Sequence, residues 1–370
     1  MKNSKSKQFP PVFIIGAERS GTTLLRLILT SHSLISIPPE SKFIEFLFSE
    51  FAEQKQIDTT QFLNKLFQEP FFKFWKFEKQ ELRKALSQVK EKNFKNLVSE
   101  IYKLYAKREK KEIWGDKNPG YTLNPKMLLD LFPDGKFIHI VRDGRDTVLS
   151  LTETAWGEKN VEKGAQKWVD FVTSGNRFAR IYPENAIEIK YEDLVKTPEK
   201  IIRECCKFLG INFEKEMLKF YEQNQEKELV PAEQKEFHQN TFKKITNERI
   251  GRWGKIFNIS EQLQIQAVEV FALSDNGYEL YLKGVEDSNK KFNFYLKLNQ
   301  QYQARNLSQR IEGHMRDINI HLKFISNTVP EIVSRLDIVL QNQESQKEIL
   351  KDLTNSTPIG ILKRILRRGK

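Results

Sequence analysis

Short apolar runs alternate along the chain with longer segments whose apolar positions recur every three or four residues. The runs at 10–16, 136–141 and 186–190 have the length and composition of buried strands. Each leads through a turn into a helical pattern, as at 22–33. Strands that alternate with helices predict a three-layer α/β fold with a central, mainly parallel sheet. The phenylalanine- and lysine-rich stretch 58–111 predicts several helices that cover one side of this sheet.

The pattern changes after about residue 285, where glycine becomes scarce and polar helix formers dominate. Twelve positions from Met315 to Leu353 alternate spacings of three and four, and ten of them are apolar. This heptad seam predicts an α-helical coiled coil over 286–354 and, through it, a homo-oligomer. Pro330 predicts a kink or a break in that helix. The alternative is a long helix that folds back on the preceding domain.

The last segment, 355–370, carries five cations and no acid. Its apolar residues can share one helical face, which predicts either a helix at a membrane surface or a disordered basic tail. The chain is therefore divided into a domain at 1–285, a coiled-coil region at 286–354 and this tail.

Composition narrows the class of protein. The net charge of +12 predicts an anionic partner, with a solvated lysine-rich surface as the alternative. Cys205 and Cys206 are adjacent, which excludes a disulfide framework and favours a reducing compartment. No apolar run approaches the ~18 residues of a membrane span, so we expect a cytoplasmic protein, with peripheral membrane contact through the basic tail as one possibility. No cluster of residues has the spacing of metal ligands, and we expect no metal.

The turn after the first strand has the spacing of a nucleotide-phosphate loop but lacks its lysine. Gly16 and Gly21 stand at the two glycine positions and Thr23 at the hydroxyl position, whereas Thr22 replaces the lysine. Arg19 supplies a cation inside the loop instead. A helix N-terminus with free N–H groups and a nearby arginine favours binding of a phosphate-like anion over an ordinary tight turn.

A second charged turn follows the strand at 136–141. Its carboxylates, Asp143 and Asp146, each have an arginine neighbour, Arg142 or Arg145. This turn is therefore suited to negative charge and not to a metal cation. Two basic turns, each after a strand, predict a ligand with two anionic groups.

The segments "GAERSGTTLLRLILTSHS" and "KFIHIVRDGRDTVLSL" resemble the sulfotransferases that use 3′-phosphoadenosine 5′-phosphosulfate (PAPS). The resemblance covers roughly residues 10–280 and implies a P-loop-like fold in which the first loop binds the 5′-phosphosulfate and the second element binds the 3′-phosphate. The implied donor-binding residues are Arg19, Ser20, Gly21, Thr22 and Thr23, then Arg142 and Ser150, and finally Arg252 or Lys255 in "ERIGRWGKIF".

The form "RSGTT" is similar to the tyrosylprotein and bacterial branch of that family, which implies three catalytic residues. Glu40 in "SIPPESKF" is the implied base, and Lys117 in "WGDKNP" faces the transferring group together with Arg19. The structural alternative for Glu40 is a surface-loop carboxylate or one paired with Lys42, and His32 is the second candidate base. His139 lies within a strand and is expected to be a packed core histidine.

Sulfuryl transfer needs cations around a charge that spreads over peripheral oxygens, and a base for the acceptor hydroxyl. The resemblance implies PAPS as co-substrate, 3′,5′-adenosine bisphosphate (PAP) as product, and no metal. We expect a hydroxyl acceptor on a glycan, peptide or lipid, with carbohydrate placed ahead of protein tyrosine, and no nucleic acid. The alternatives are a divergent P-loop NTPase or kinase, and a non-catalytic coiled-coil scaffold.

Overall fold

The computed structural model of the protein describes residues 9–227 and 229–307. Within these ranges parallel strands form one sheet, and their bounds are β1 Val12–Ile15, β2 Ile35–Ser36, β3 Ile113–Lys117, β4 Lys136–Val141 and β5 Ala186–Lys190. The strand order is β2-β3-β1-β4-β5, and each neighbouring pair is parallel. The predicted central parallel sheet is confirmed. Because β1 lies between β3 and β4, the loops after these three strands meet at one edge of the sheet.

Helices connect the strands and continue after them. The α-helices are α1 Thr22–Thr30, α2 Phe43–Phe51, α3 Thr59–Leu66, α4 Lys79–Ser87, α5 Phe94–Arg108, α6 Pro125–Leu131, α7 Gly144–Thr152, α8 Val161–Ile181, α9 Tyr191–Lys196, α10 Pro198–Leu209, α11 Phe220–Lys227, α12 Trp253–Ile256 and α13 Ile259–Asp275. Short 3₁₀ helices span Phe72–Trp75, Pro119–Leu123, Lys215–Lys219 and Ala232–Phe242. Residues 288–307 are also helical.

The side chains of β1 alternate between two helical layers. Phe13 and Ile15 pack into a core formed with α2, α3, α4 and α5, which contains most of the buried phenylalanines. Val12 and Ile14 pack against α1, α9 and α10 on the other face. Successive residues of a strand point to opposite faces, so two cores enclose the sheet. This confirms the three layers and the expectation that the phenylalanine-rich helices cover one side.

A third core lies beyond the carboxyl end of β4. It joins α8 and α13 through residues such as Trp168 and Val270, and it includes Tyr295. The first compact unit accordingly comprises Met1–Asn299, somewhat more than the predicted domain at 1–285. The second unit is Gln300–Lys370. Within it, residues 300–307 are helical.

The heptad positions and the basic tail lie outside the described residues. Homo-oligomerisation and membrane contact therefore stay predictions. In the described ranges, none of the helices is sufficiently long and apolar to cross a membrane. Cys205 and Cys206 are buried in α10 as free thiols.

Candidate active site

The loop between β1 and α1 is held in a conformation that glycine makes possible. Gly21 has a φ of +97°, and a Cβ there would lie 2.5 Å from a ring carbon of Tyr191. Thr122 accepts a hydrogen bond from the Gly16 N–H (2.7 Å) and donates to its carbonyl (3.1 Å). Arg19 has a φ of +66°, a left-handed conformation that non-glycine residues rarely adopt outside functional sites and turns. No side chain caps α1, so its first-turn amides suit an anion.

The two basic elements predicted from the sequence meet in space. Arg142 donates to the carbonyl of Arg19 (2.9 Å) and to that of Arg249 (2.7 Å), while its guanidinium lies 4.7 Å from the ring centroid of Tyr191. The Arg19 Nε donates to the Ser150 hydroxyl at 3.1 Å. The first loop and the second turn are therefore parts of one site.

These residues line a cavity of about 670 Å³. The predicted residues along its wall are Arg19, Gly21, Thr22, Thr23, Arg142 and Ser150. The wall carries six cationic side chains and only two acidic ones. Burial, and then the cations of Arg142 and Arg249, lower the pKa of Arg19. An anion in the cavity would offset this repulsion, so the cavity favours an anionic ligand. Ser20, also predicted, does not line the cavity: it is fully buried, and its hydroxyl has no hydrogen-bond partner among the described residues.

Arg145, the second arginine of the charged turn, has a structural position. It forms two hydrogen bonds with the Asp143 carboxylate (2.9 and 2.7 Å) and its guanidinium lies 4.2 Å from the ring centroid of Trp253. Asp146 accepts the N–H groups of Gly251 (2.6 Å) and Trp253 (3.0 Å). The carboxylates of this turn thus bind protein groups, and of its two arginines only Arg142 faces the cavity.

Arg252 lies beside the cavity and not along its wall. Its guanidinium forms two hydrogen bonds with the Glu153 carboxylate, at 2.5 and 3.1 Å. Arg249 lines the cavity in its place, together with Lys243 and Lys244. These three cations were not predicted from the sequence because they lie in an irregular segment with no strand or helix pattern to orient them.

The "KYEDL" segment, residues 190–194, supports the second turn. Glu192 accepts a hydrogen bond from the Asp143 N–H (3.0 Å) and another from the Tyr278 hydroxyl (2.9 Å). Tyr191, the preceding residue, occupies the space beside Gly21 and beneath Arg142. This segment therefore contacts both the first loop, at Gly21, and the Arg142 turn, and it stabilises their positions.

Glu40 and Lys117 form an ion pair. The Lys117 side chain is 4% exposed and that of Glu40 is 29% exposed, so the carboxylate is the more accessible partner. Lys117 ends β3 and is in register with Ile14 of β1, which places it next to the start of the first loop. Lys42, the partner considered in the alternative, is exposed just before α2. The pairing that forms is with Lys117.

Two buried side chains anchor the backbone just before Glu40. The Trp75 indole N–H donates to the carbonyl of Pro39 at 2.9 Å. The buried guanidinium of Arg26 donates to the carbonyls of Ile37 (3.2 Å) and Leu229 (2.7 Å). These hydrogen bonds fix the backbone on which the carboxylate is mounted.

Two further carboxyl groups lie beside Lys117. Asp116 is fully buried and accepts hydrogen bonds from the Tyr121 hydroxyl (2.7 Å) and the Lys117 N–H (2.8 Å); burial raises its pKa to about 6. Glu45 accepts a hydrogen bond from the Asn118 amide at 3.2 Å, and burial raises its pKa as well. Both contacts stabilise the turn that follows β3.

The position of His32 does not fit a catalytic base. It follows the carboxyl end of α1, whereas the loop lies at the amino end. Its Nδ1 accepts the Leu34 N–H (3.0 Å) and its Nε2 lies 2.8 Å from the carbonyl of Asn212. Both ring nitrogens are therefore occupied. His139 is fully buried in β4, as predicted. Within the described ranges no group of three or more His, Cys, Asp or Glu residues is placed to hold a metal ion.

Together the fold and the site define an α/β protein with a cation-lined cavity at the carboxyl edge of a parallel sheet. The profile of the sulfotransferase family matches residues 10–215, more than half of the chain. The protein belongs to the sulfotransferase family.

Relatives and solved structures agree with this assignment. A protein-tyrosine sulfotransferase of Drosophila melanogaster is 26% identical over 216 residues, which are 56% of this chain and 39% of the relative. An omega-hydroxy-beta-dihydromenaquinone-9 sulfotransferase of Mycobacterium bovis is 24% identical, over 55% of this chain and 63% of the relative. The chain thus spans less than two thirds of these curated relatives. The sulfotransferase domain of the Synechococcus PCC 7002 olefin synthase shares the fold with a TM-score of 0.53 at 22% identity, over 74% of this chain and 98% of that domain.

Proposed function

We propose that the protein transfers a sulfuryl group from PAPS to an acceptor hydroxyl and releases PAP. The observation that carries this proposal is the single cavity in which the first loop and the Arg142 turn meet, with six cationic side chains along its wall. A donor with anionic groups at both its 5′ and 3′ ends matches two basic elements that hydrogen-bond to each other.

In this proposal the residues Arg19 to Thr23 hold the 5′-phosphosulfate at the N-terminus of α1. Arg142 and Ser150 hold the 3′-phosphate. Arg252 contributes by fixing Glu153, and Arg249 is the cation of that segment that faces the donor. The Thr22 side chain cannot supply the phosphate contact of a Walker lysine, which argues against an NTPase.

The acceptor hydroxyl loses its proton to Glu40 as its oxygen attacks sulfur and the bond from sulfur to the bridging phosphate oxygen breaks. Glu40 is the accessible partner of its ion pair and lies on an anchored loop, as a positioned base requires. Arg19 and Lys117 stabilise the charge on the peripheral oxygens, and the leaving phosphate stays bound to the first loop.

The acceptor in this proposal is a carbohydrate hydroxyl first and a tyrosine hydroxyl second. The names of the relatives include a protein-tyrosine and a menaquinone sulfotransferase, so hydroxyl chemistry is shared while the acceptor differs. Mass spectrometry of glycans, lipids and proteins from cells with and without the enzyme tests this, because a sulfate-mass difference in one fraction identifies the acceptor class.

A thermal-shift panel tests donor binding directly. We expect PAP to raise the melting temperature without magnesium, since a ligand that binds only the folded state stabilises it. A shift with magnesium–ATP but not with PAP would favour an NTPase. If neither nucleotide shifted the transition, a non-catalytic scaffold would replace the enzyme as the better interpretation.

A further inference from the structure

Glu269 of α13 is a buried acid whose surroundings offer it no hydrogen bond. Its side chain is fully buried, and neither carboxyl oxygen has a partner among the described residues. Buried polar groups are nearly always paired, and an unpaired ionised carboxylate is far costlier than a neutral one. This position is therefore compatible with a carboxylic acid and poorly compatible with a carboxylate.

The carboxyl group of Glu269 packs directly against the turn that carries Arg142. A Cβ on Gly144 would lie 2.4 Å from one of its oxygens and 2.5 Å from its carboxyl carbon. Gly144 is the first residue of α7 and lies two positions after Arg142 in the sequence. The Glu269 side chain thus contacts the backbone of this turn without lining the cavity.

Two charged groups, both from the turn, act on Glu269. Burial is the main reason why its pKa lies well above the ordinary value; the Asp143 carboxylate raises it further and the Arg145 guanidinium opposes this. Arg145 is already bound to Asp143 and to the Gln266 amide oxygen. Of the charged side chains described on α8, which packs on α13, none is among the groups that shift this pKa.

We propose that Glu269, in its neutral form, is a positioning residue for the Arg142 turn, and that loss of its proton weakens binding of the PAPS or PAP nucleotide. This rests on the proposed function, because it assumes that the nucleotide binds where Arg142 lines the cavity.

The direction of the effect follows from the geometry. Ionisation places a negative charge where no described group donates a hydrogen bond to it, and near the Asp143 carboxylate. The turn or the helix must then move to admit water, and Arg142 moves with the turn. Nucleotide affinity is therefore full while Glu269 is protonated and falls as the pH rises through its folded-state pKa.

The test is a series of PAP dissociation constants, measured calorimetrically at constant ionic strength from pH 5.5 to pH 9.5. The proteins compared are the wild-type chain, Glu269→Gln and Glu269→Leu, which are neutral throughout, and Asp275→Asn. Asp275 is an exposed acid on the same helix, so Asp275→Asn is the matched control.

We expect the wild-type chain and Asp275→Asn to lose affinity at the alkaline end by about tenfold or more relative to the two Glu269 variants, as for an uncompensated buried charge. Profiles that run parallel in all four proteins would overturn the proposal and leave the proposed function intact. If PAP bound to none of them at any pH, the proposed function would fail, and this proposal with it.

A steric variant provides a second readout. Gly144→Ala inserts a methyl group into the Glu269 carboxyl, and we expect it to weaken PAP binding. Adding Glu269→Ala to that variant makes room for the methyl group and should restore part of the affinity. If the double variant bound PAP no better than Gly144→Ala alone, the contact between the two residues would not be what positions the turn.

Discussion

The cavity lined by Arg19 and Arg142, called the donor cavity because we propose that PAPS binds there, differs in charge balance from the surroundings of Glu40. The wall of the cavity has a large excess of cations over acids. Around Glu40 the polar groups are paired within the protein. The Glu40 carboxylate pairs with Lys117, and the nearby Glu45 carboxylate accepts a hydrogen bond from the Asn118 side-chain amide. The cavity thus has charge left for a ligand, whereas the second region satisfies most of its own.

This difference explains why the donor is the easier substrate to infer. Unbalanced charge in a cavity points to a ligand of opposite charge, here one with two anionic groups. A balanced set of polar groups, such as that around Glu40, indicates contact with a polar ligand but does not specify the charge of that ligand.

Removal of the proposed base, Glu40, has the largest expected effect and tests the difference between the donor cavity and the surroundings of Glu40. We expect Glu40→Gln to lower kcat by about 10²- to 10⁴-fold, because the acceptor hydroxyl then lacks a general base. The PAP dissociation constant should stay unchanged, since the carboxylate lies outside the donor cavity. Steady-state kinetics and calorimetry measure the two quantities. Glu50→Gln, at an exposed acid on α2, is the matched control, and normal turnover by Glu40→Gln would remove the base assignment.

We expect Arg19 to contribute both to the transfer step and to binding of the nucleotide. Arg19→Ala removes a cation from the transferring group, and loss of one such donor lowers kcat by about 10²- to 10³-fold. The PAP affinity should fall too, because Arg19 lines the cavity. Arg83→Ala, on the exposed face of α4, controls for loss of a surface arginine. An unchanged kcat with weaker PAP binding would restrict Arg19 to a binding role.

Arg142 should affect the donor alone. A hydrogen bond to a charged group contributes about 1.5–3 kcal/mol, so Arg142→Gln should weaken PAP binding by roughly 10- to 150-fold. At saturating donor the KM for the acceptor should not change. Competition between PAP and the donor measures the first quantity and acceptor titrations the second. A change confined to the acceptor KM would contradict the assignment of this arginine to the nucleotide.

Arg252 gives the smallest expected effect. Its guanidinium is bound to a partly exposed Glu153, and such pairs contribute about 1 kcal/mol or less, so Arg252→Gln should change PAP affinity by less than about fivefold. Arg249→Gln should have the larger effect because that residue lines the cavity. The reverse order of the two variants in calorimetry would place Arg252 on the nucleotide.

Local chemistry explains which parts of the site the sequence could predict. The spacing from Gly16 to Thr23 determines a loop at a helix N-terminus without reference to the rest of the chain. The same is true of the alternating strand and helix patterns that predicted the layers. Arg19 and Arg142, which the loop spacing and the charged turn predicted, lie at such boundaries between a strand and a helix. Ser150 lies within α7, and its role, like those of Glu40 and Lys117, was implied by the family resemblance.

Contacts between distant segments explain what the sequence could not predict. The choice of Arg249 over Arg252 depends on the path of an irregular segment held by Asp146. The pairing of Glu40 with Lys117 depends on the register of β3 with β1, which a strand pattern does not reveal. Glu269 resembles any polar residue of a helix until α13 is packed against the turn.

The hydrogen bonds of Arg26 have a consequence for the order in which the first compact unit is completed during its synthesis. This side chain joins the carbonyl of Ile37 to that of Leu229, which lie far apart in the sequence. At 5–20 residues per second, the ribosome adds the second roughly 10–40 s after the first. The loop that bears Glu40 thus obtains its full support only when most of the first compact unit has been made. A nascent chain can form the first loop long before the proposed base is fixed opposite it.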